Sequence, residues 1–147
     1  MNTTGSSPSW MVERHPRNED LSVDECWRLL QSEEVGRVGF VVDDRVQMFP
    51  VNFVAHENSV YFRTSADGAI GGVLHSQPAS FEVDQLDEFL QVGWSVLVTG
   101  QGHRIDGPEL LTEPWGPKPP EPWASGIRTL LIRVAAEQVT GRRVHPG

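Results

Sequence analysis

The chain has 147 residues, 38% of them apolar and 22% charged, with a formal net charge of −8. That is room for one domain with a real core, and the acidic balance argues against a nucleic-acid binder, which needs a basic face for phosphate contacts. No apolar run approaches the ~18 residues that span a bilayer, and Met1–Ser9 lacks the basic start and apolar centre of a signal peptide, so the expected address is cytoplasmic.

Residues 1–20 are polar, carry Pro8 and Pro16 and hold no sustained period; they read as a flexible N-terminal arm, open to ordering by packing on the barrel or on a second subunit, with a single domain over residues 21–147. A helix is expected next. Ser22 is an N-cap candidate, Glu25 falls three residues on as a capping box requires, and Leu21 can staple to Cys26. Val23, Cys26, Leu29 and Leu30 form its apolar stripe. Cys26 is the only cysteine, so no internal disulfide can form; on that stripe it reads as a buried, inert thiol.

From Arg37 the period changes to two. Val38, Phe40 and Val42 alternate up to Asp43-Asp44, a hairpin turn, and Val46–Val54 returns to a second turn at His56-Glu57-Asn58 and a strand Val60–Thr64. The Gly-rich Ser65–Ser76 stretch has room for a short helix near Ala69–His75. Ala79–Asp84 and the long Trp94–Ile105 read as further strands, with Gly100 and Gly102 permitting a bulge. Pro108, Pro114, Pro117, Pro119, Pro120 and Pro122 make residues 108–122 an irregular crossing. A last strand, Thr129–Val134, and a closing segment, Val139–Val144, follow. The sum is a mainly β fold, an antiparallel barrel of about six strands with few helices, whose closure hides strand edges.

Metal and nucleophile chemistry lack their signatures. The five histidines show no pair at ligand spacing, and neither a Gly-x-Ser-x-Gly elbow nor a Gly-x-Gly-x-x-Gly turn after a strand occurs. Two segments stand out instead. In Phe49-Pro50-Val51-Asn52-Phe53, Pro50 removes a ladder donor and Asn52 sets a polar group among apolar ones; an edge strand with Asn52 in solvent explains this equally well. Phe62-Arg63-Thr64-Ser65-Ala66-Asp67-Gly68 ends a strand in hydroxyls and a Gly-containing turn, which offers donors to a phosphate, or simply caps a helix. Only Lys118 is a lysine, so a local positive pocket must come from arginines, with Arg37, Arg63, Arg104 and Arg128 in patterned segments.

Taken in order, Gly-Arg-Val-Gly-Phe (36–40), Phe-Pro-Val-Asn-Phe (49–53), Tyr-Phe-Arg-Thr-Ser (61–65), Ser-Phe-Glu-Val-Asp (80–84) and Gly-Trp-Ser-Val-Leu-Val-Thr-Gly (93–100) resemble the pyridoxamine 5′-phosphate oxidase-like, FMN-binding split-barrel family. The resemblance covers roughly residues 21–144. It implies an antiparallel split barrel, and an FMN whose ring lies along Pro50, Val51, Asn52 and Phe53. It places the phosphate at Phe62, Arg63, Thr64, Ser65 and Gly68, with Trp94 and Ser95 available to wall the ring. Ordinary barrel or interface packing is the competing role for Trp94. Relatives often carry a lysine where this chain has Ala69, so the phosphate charge would fall to Arg63 or to arginines of a second subunit. Glu82 reads as an ion-pair partner across strands rather than an acid.

What the resemblance implies about function is a flavin-dependent oxidoreductase acting on a small molecule, in a homodimer with cofactor sites at the subunit interface. A deazaflavin coenzyme is the alternative cofactor; its long acidic tail calls for a basic groove, and the acidic, lysine-poor chain leans towards FMN. A non-catalytic barrel that binds haem or another flat ligand is the alternative from a different class. Neither a membrane nor a nucleic acid is expected as a partner, and no metal.

Overall fold

The structure, a computed structural model, describes residues 17–65, 76–105 and 129–146. Its elements run β1 (Arg17–Asp20), α1 (Val23–Gln31), β2 (Val35–Val42), β3 (Arg45–His56), β4 (Ser59–Ser65), β5 (Gln77–Asp87), β6 (Val92–Ile105) and β7 (Thr129–His145). Every strand pairing is antiparallel. Strands neighbour one another in the order β1-β7-β4-β3-β2-β5-β6, and β6 also pairs with β7, so six strands close into a ring with β1 appended. The long β7 makes this possible. One edge follows β6 from Leu131 to Val144, while the other serves β4 up to Ala135 and β1 from Arg142.

Period-two patterning becomes inside and outside. Val38, Phe40, Val51, Phe53, Phe62, Phe81, Val83, Val96, Val98, Ile132 and Val134 point inward and are buried in one cluster. Two-residue turns set the registers. Asp43 and Asp44, then Glu57 and Asn58, take positive φ of 47–63°, and Val42 faces Arg45 as His56 faces Ser59. Tight turns with both central residues left-handed match the twist of paired strands. No helix among the described residues is long and apolar enough to cross a membrane.

Helix α1 closes one end of the barrel. Ser22 Oγ accepts from the Glu25 N–H at 3.2 Å, and Asp24 and Glu25 sit in the first turn, where the helix dipole favours negative charge. Cys26 and Leu30 are fully buried, and burial, then the Glu25 carboxylate, raise the Cys26 thiol pKa, which suits an inert packing role. Val23, expected on the same stripe, is instead exposed, because it lies in the first turn beyond the barrel rim. Ser22→Ala should cost about 1 kcal/mol, measurable as a shift of the urea midpoint at unchanged slope.

One end of the arm is ordered on the barrel, and one expectation changes. Arg17–Asp20, at the end of the segment read as an arm, is strand β1, held by backbone pairing to β7 and by Glu19–His145 (2.9 Å) and Asp20–Arg142 (3.9 Å) contacts. The last strand and the closing segment are one strand, β7. The pairing passes Glu137 through a bulge opposite Thr99 and Gly100, where β7 comes so close that a Cβ on Gly100 would run into the Ala135 carbonyl. The Pro-rich crossing and the short helix expected near Ala69–His75 lie outside the described residues.

Candidate functional site

The sheet divides between β3 and β4. Their ladder starts at His56↔Ser59 and ends at Phe53↔Phe62. Beyond it, β3 stays with β2, with Asn52, Val51 and Pro50 facing Val35, Gly36 and Arg37. β4 stays with β7 instead, with Arg63, Thr64 and Ser65 facing Leu131, Leu130 and Thr129. Continued one step past its end, the register sets Asn52 opposite Arg63, and two steps further on sets Pro50 opposite Ser65. The two segments singled out in the sequence are thus the two lips of one gap.

Strand alternation gives the chemistry of each lip. The Phe53 N–H donates to the Glu34 carbonyl at 2.9 Å, on the β2 side, and main-chain groups alternate sides along an antiparallel strand. Those of Pro50 and Asn52 therefore point towards β4. Pro50, which has no N–H, stands where a ladder donor would face the gap; proline is tolerated at such a position and not within a continuous sheet. By the same alternation, Arg63 and Ser65 present their main-chain groups to the gap from the β4 side.

Side chains divide accordingly. Val51, Phe53 and Phe62 are buried in the barrel, at 6%, 4% and 0% exposure; their side chains belong to the core, and by the same alternation their main-chain groups turn to β2 or β7, away from the gap. Pro50 is exposed, and Asn52 and Arg63 are half-buried on the outer surface. Thr64 has inward parity and is half-buried near the end of β4. Gly68 and Ala69 lie outside the described residues, as does Arg128. Trp94 and Ser95 are not brought to the gap within one subunit. They pair with Gln85 and Asp84 on β5 and with Arg143 and Arg142 on β7, so β5 and β2 stand between them and β3. Trp94 packs against the core cluster.

Beside the gap lies a charged cluster that sequence reading split apart. Arg37, opposite Pro50 on one side and Glu82 on the other, reaches Glu82 Oε1 and Asp84 Oδ2, each at 3.4 Å. The ion pair expected of Glu82 is present, and Arg37 is committed to it rather than poised alone for a phosphate. Glu82 has its pKa raised to about 7, first by burial and then by the hydrogen bond and charge of Asp84, with Arg37 opposing. The contact depends on β2–β5 pairing between residues 45 apart, which no local pattern announces.

The pyridoxamine 5′-phosphate oxidase family model matches residues 22–143, and the chain belongs to that family. A solved FAD binding protein from Mycobacterium smegmatis is 34% identical with a TM-score of 0.72, covering 85% of this chain and 98% of its own. A conserved protein of unknown function from Corynebacterium diphtheriae, DIP1874, is 30% identical with a TM-score of 0.68, covering 85% and 96%. The Mycobacterium tuberculosis protein Rv0080, described as uncharacterized, is 29% identical over 130 residues, 85% of this chain and 84% of that one. The split barrel expected from the ordered motifs is the fold observed.

Proposed function

We propose that the protein binds a flavin nucleotide in the β3–β4 gap and serves as a flavin-dependent oxidoreductase for a small molecule. The observation that carries this reading is the end of the ladder at Phe53↔Phe62, which leaves Pro50–Asn52 and Arg63–Ser65 facing each other as two polar lips. The Arg63 guanidinium and the Ser65 N–H, which the alternation of β4 turns to the gap, suit a phosphate. The Asn52 amide and main chain suit the hydrogen-bonding edge of a flat ring. A bound flavin would supply the electron-pair acceptor and donor, while the protein orients the ring and excludes competing reactions.

FMN and FAD share the ring, the ribityl chain and the first phosphate, so both fit these lips. The sequence leans towards FMN over a deazaflavin coenzyme, and the 34%-identical neighbour is an FAD binding protein. A homodimer belongs to the same reading, since a gap in one barrel wall offers a ring one side only. The outer faces of β2, β3 and β6 present Val41, Val46, Met48 and Leu97, each 41–75% exposed, as an apolar surface suited to a second copy. Titration of FMN and of FAD with the protein, followed by flavin fluorescence, tests the proposal. Saturable quenching by at least one of them, at one flavin per chain, is expected; no binding of either would overturn it.

A further inference from the structure

The apolar outer surface encloses a groove of about 560 Å³ whose wall includes Arg37 and Glu82 beside Met48 and Leu97. The charges there are unbalanced. Arg37 is shared by Glu82 and Asp84, so with both carboxyls ionised the cluster carries one net negative charge. Glu137, on β7, lines the same groove and accepts from Gln101 Nε2 at 3.4 Å. The outward residues of β3 and β6 around the cluster, Met48, Pro50, Ser95, Leu97 and Thr99, do not titrate. Among the described residues, Arg37, Glu82 and Glu137 are the charged groups lining the groove, with Asp84 beside them and Arg142, across Ser95 from Asp84, paired to Asp20.

The proposed two-copy contact makes this imbalance consequential. A two-fold arrangement suits a face with a cation one strand away from two carboxylates, because Arg37 of one copy can approach the carboxylates of the other. It also draws two net-negative clusters into an apolar, water-poor contact, where an unmatched charge is costly. One proton on each carboxyl pair neutralises the Arg37–Glu82–Asp84 cluster and leaves Glu137 as the remaining unmatched charge of the groove.

We propose that the Arg37–Glu82–Asp84 cluster is a proton-linked latch, in which each cluster takes up one proton as two copies of the chain associate through this face. The inference rests on the homodimer reading above. Glu82 is the group that holds the proton, since its pKa in the free chain already stands at about 7 and further burial raises it. A group whose pKa rises on association favours the associated state below its free-chain value, and the benefit is lost as pH climbs through the value in the complex. Association is therefore tight on the acid side of neutrality and weakens above it. With two protons per dimer, the dissociation constant should rise by up to about a hundredfold per pH unit between the two pKa values.

Sedimentation equilibrium of the full chain from pH 6 to pH 9 tests the latch. The parent should be a dimer at pH 6 and dissociate progressively above pH 7. Glu82→Gln, which keeps the hydrogen-bonding shape and fixes the neutral state, should dimerise equally at every pH. Asp84→Asn leaves a neutral Arg37–Glu82 pair and should flatten the profile too, and it serves if the first variant fails to fold. A parent dimer whose dissociation constant does not change with pH, or variants as pH-dependent as the parent, would overturn the latch and leave the two-copy reading standing. A monomer at every pH would overturn both.

Discussion

Phe81→Ala should destabilise the protein by about 3–5 kcal/mol, a large share of the roughly 5–15 kcal/mol that holds a domain of this kind folded. Phe81 is fully buried on β5, in register with Val38 of β2 and Val98 of β6. Its ring meets Phe53 edge-on, with centroids 4.7 Å apart and planes at 63°, a geometry that adds to simple burial. It also fills the space over Gly36, where any Cβ would collide with it. Alanine would leave a cavity between three strands that a closed barrel cannot collapse to fill, since each wall is tied to two neighbours. Urea unfolding followed by tryptophan fluorescence measures the loss, and a cost below about 1.5 kcal/mol would mean that the barrel interior repacks. Because Phe53 is the last β3 residue paired to β4, the variant should loosen the base of the gap as well.

Arg63→Ala should weaken flavin binding by ten- to about a hundredfold, the cost of removing one charge-assisted contact, about 1.5–3 kcal/mol. Arg63 is the first β4 residue beyond the ladder with β3 and stands half-buried on the outer surface across from Asn52. In a chain of net charge −8, a phosphate beside it has few other cations to meet. Arg37 is already shared by two carboxylates. Arg28→Ala is the matched control, since Arg28 lies exposed on α1 and is paired with Glu25. Fluorescence titration of both variants should separate them, and the Arg63 effect should shrink in high salt as its long-range part is screened. Equal affinities for Arg63→Ala, Arg28→Ala and the parent would place the phosphate elsewhere.

The parts of this fold that were legible in the sequence are those set by neighbours a few residues apart. The Ser22 cap, the turns at Asp43-Asp44 and Glu57-Asn58, and the alternation of Val38, Phe40 and Val42 are local, and the structure contains them. What escaped depends on distant pairing. Arg17-Asn18-Glu19-Asp20 has no apolar alternation to mark it as a strand, and its fixed points are main-chain bonds and counter-charges on β7. The apolar pattern lapses at Ala135–Gln138, which suggested a break, yet β6 carries the strand through with a bulge.

The site divides the same way. Pro50–Asn52 and Arg63–Ser65 were visible as unusual segment ends, but the gap that joins them is a property of register. Residue types could not tell that Val51, Phe53 and Phe62 turn their side chains into the core while Asn52 and Arg63 turn outward. They also could not bring Arg37 to Glu82 and Asp84, because that contact needs β2 beside β5.

Whether the gap between β3 and β4 holds a flavin is decided by a crystal structure of the protein grown with FMN or FAD. Flavin density is expected between the two lips, with its first phosphate against Arg63–Ser65 and its ring along Pro50–Asn52. Flavin seated instead in the cavity of about 390 Å³ lined by Trp94, Arg143 and His145, with the gap closed by β3–β4 pairing, would contradict that placement.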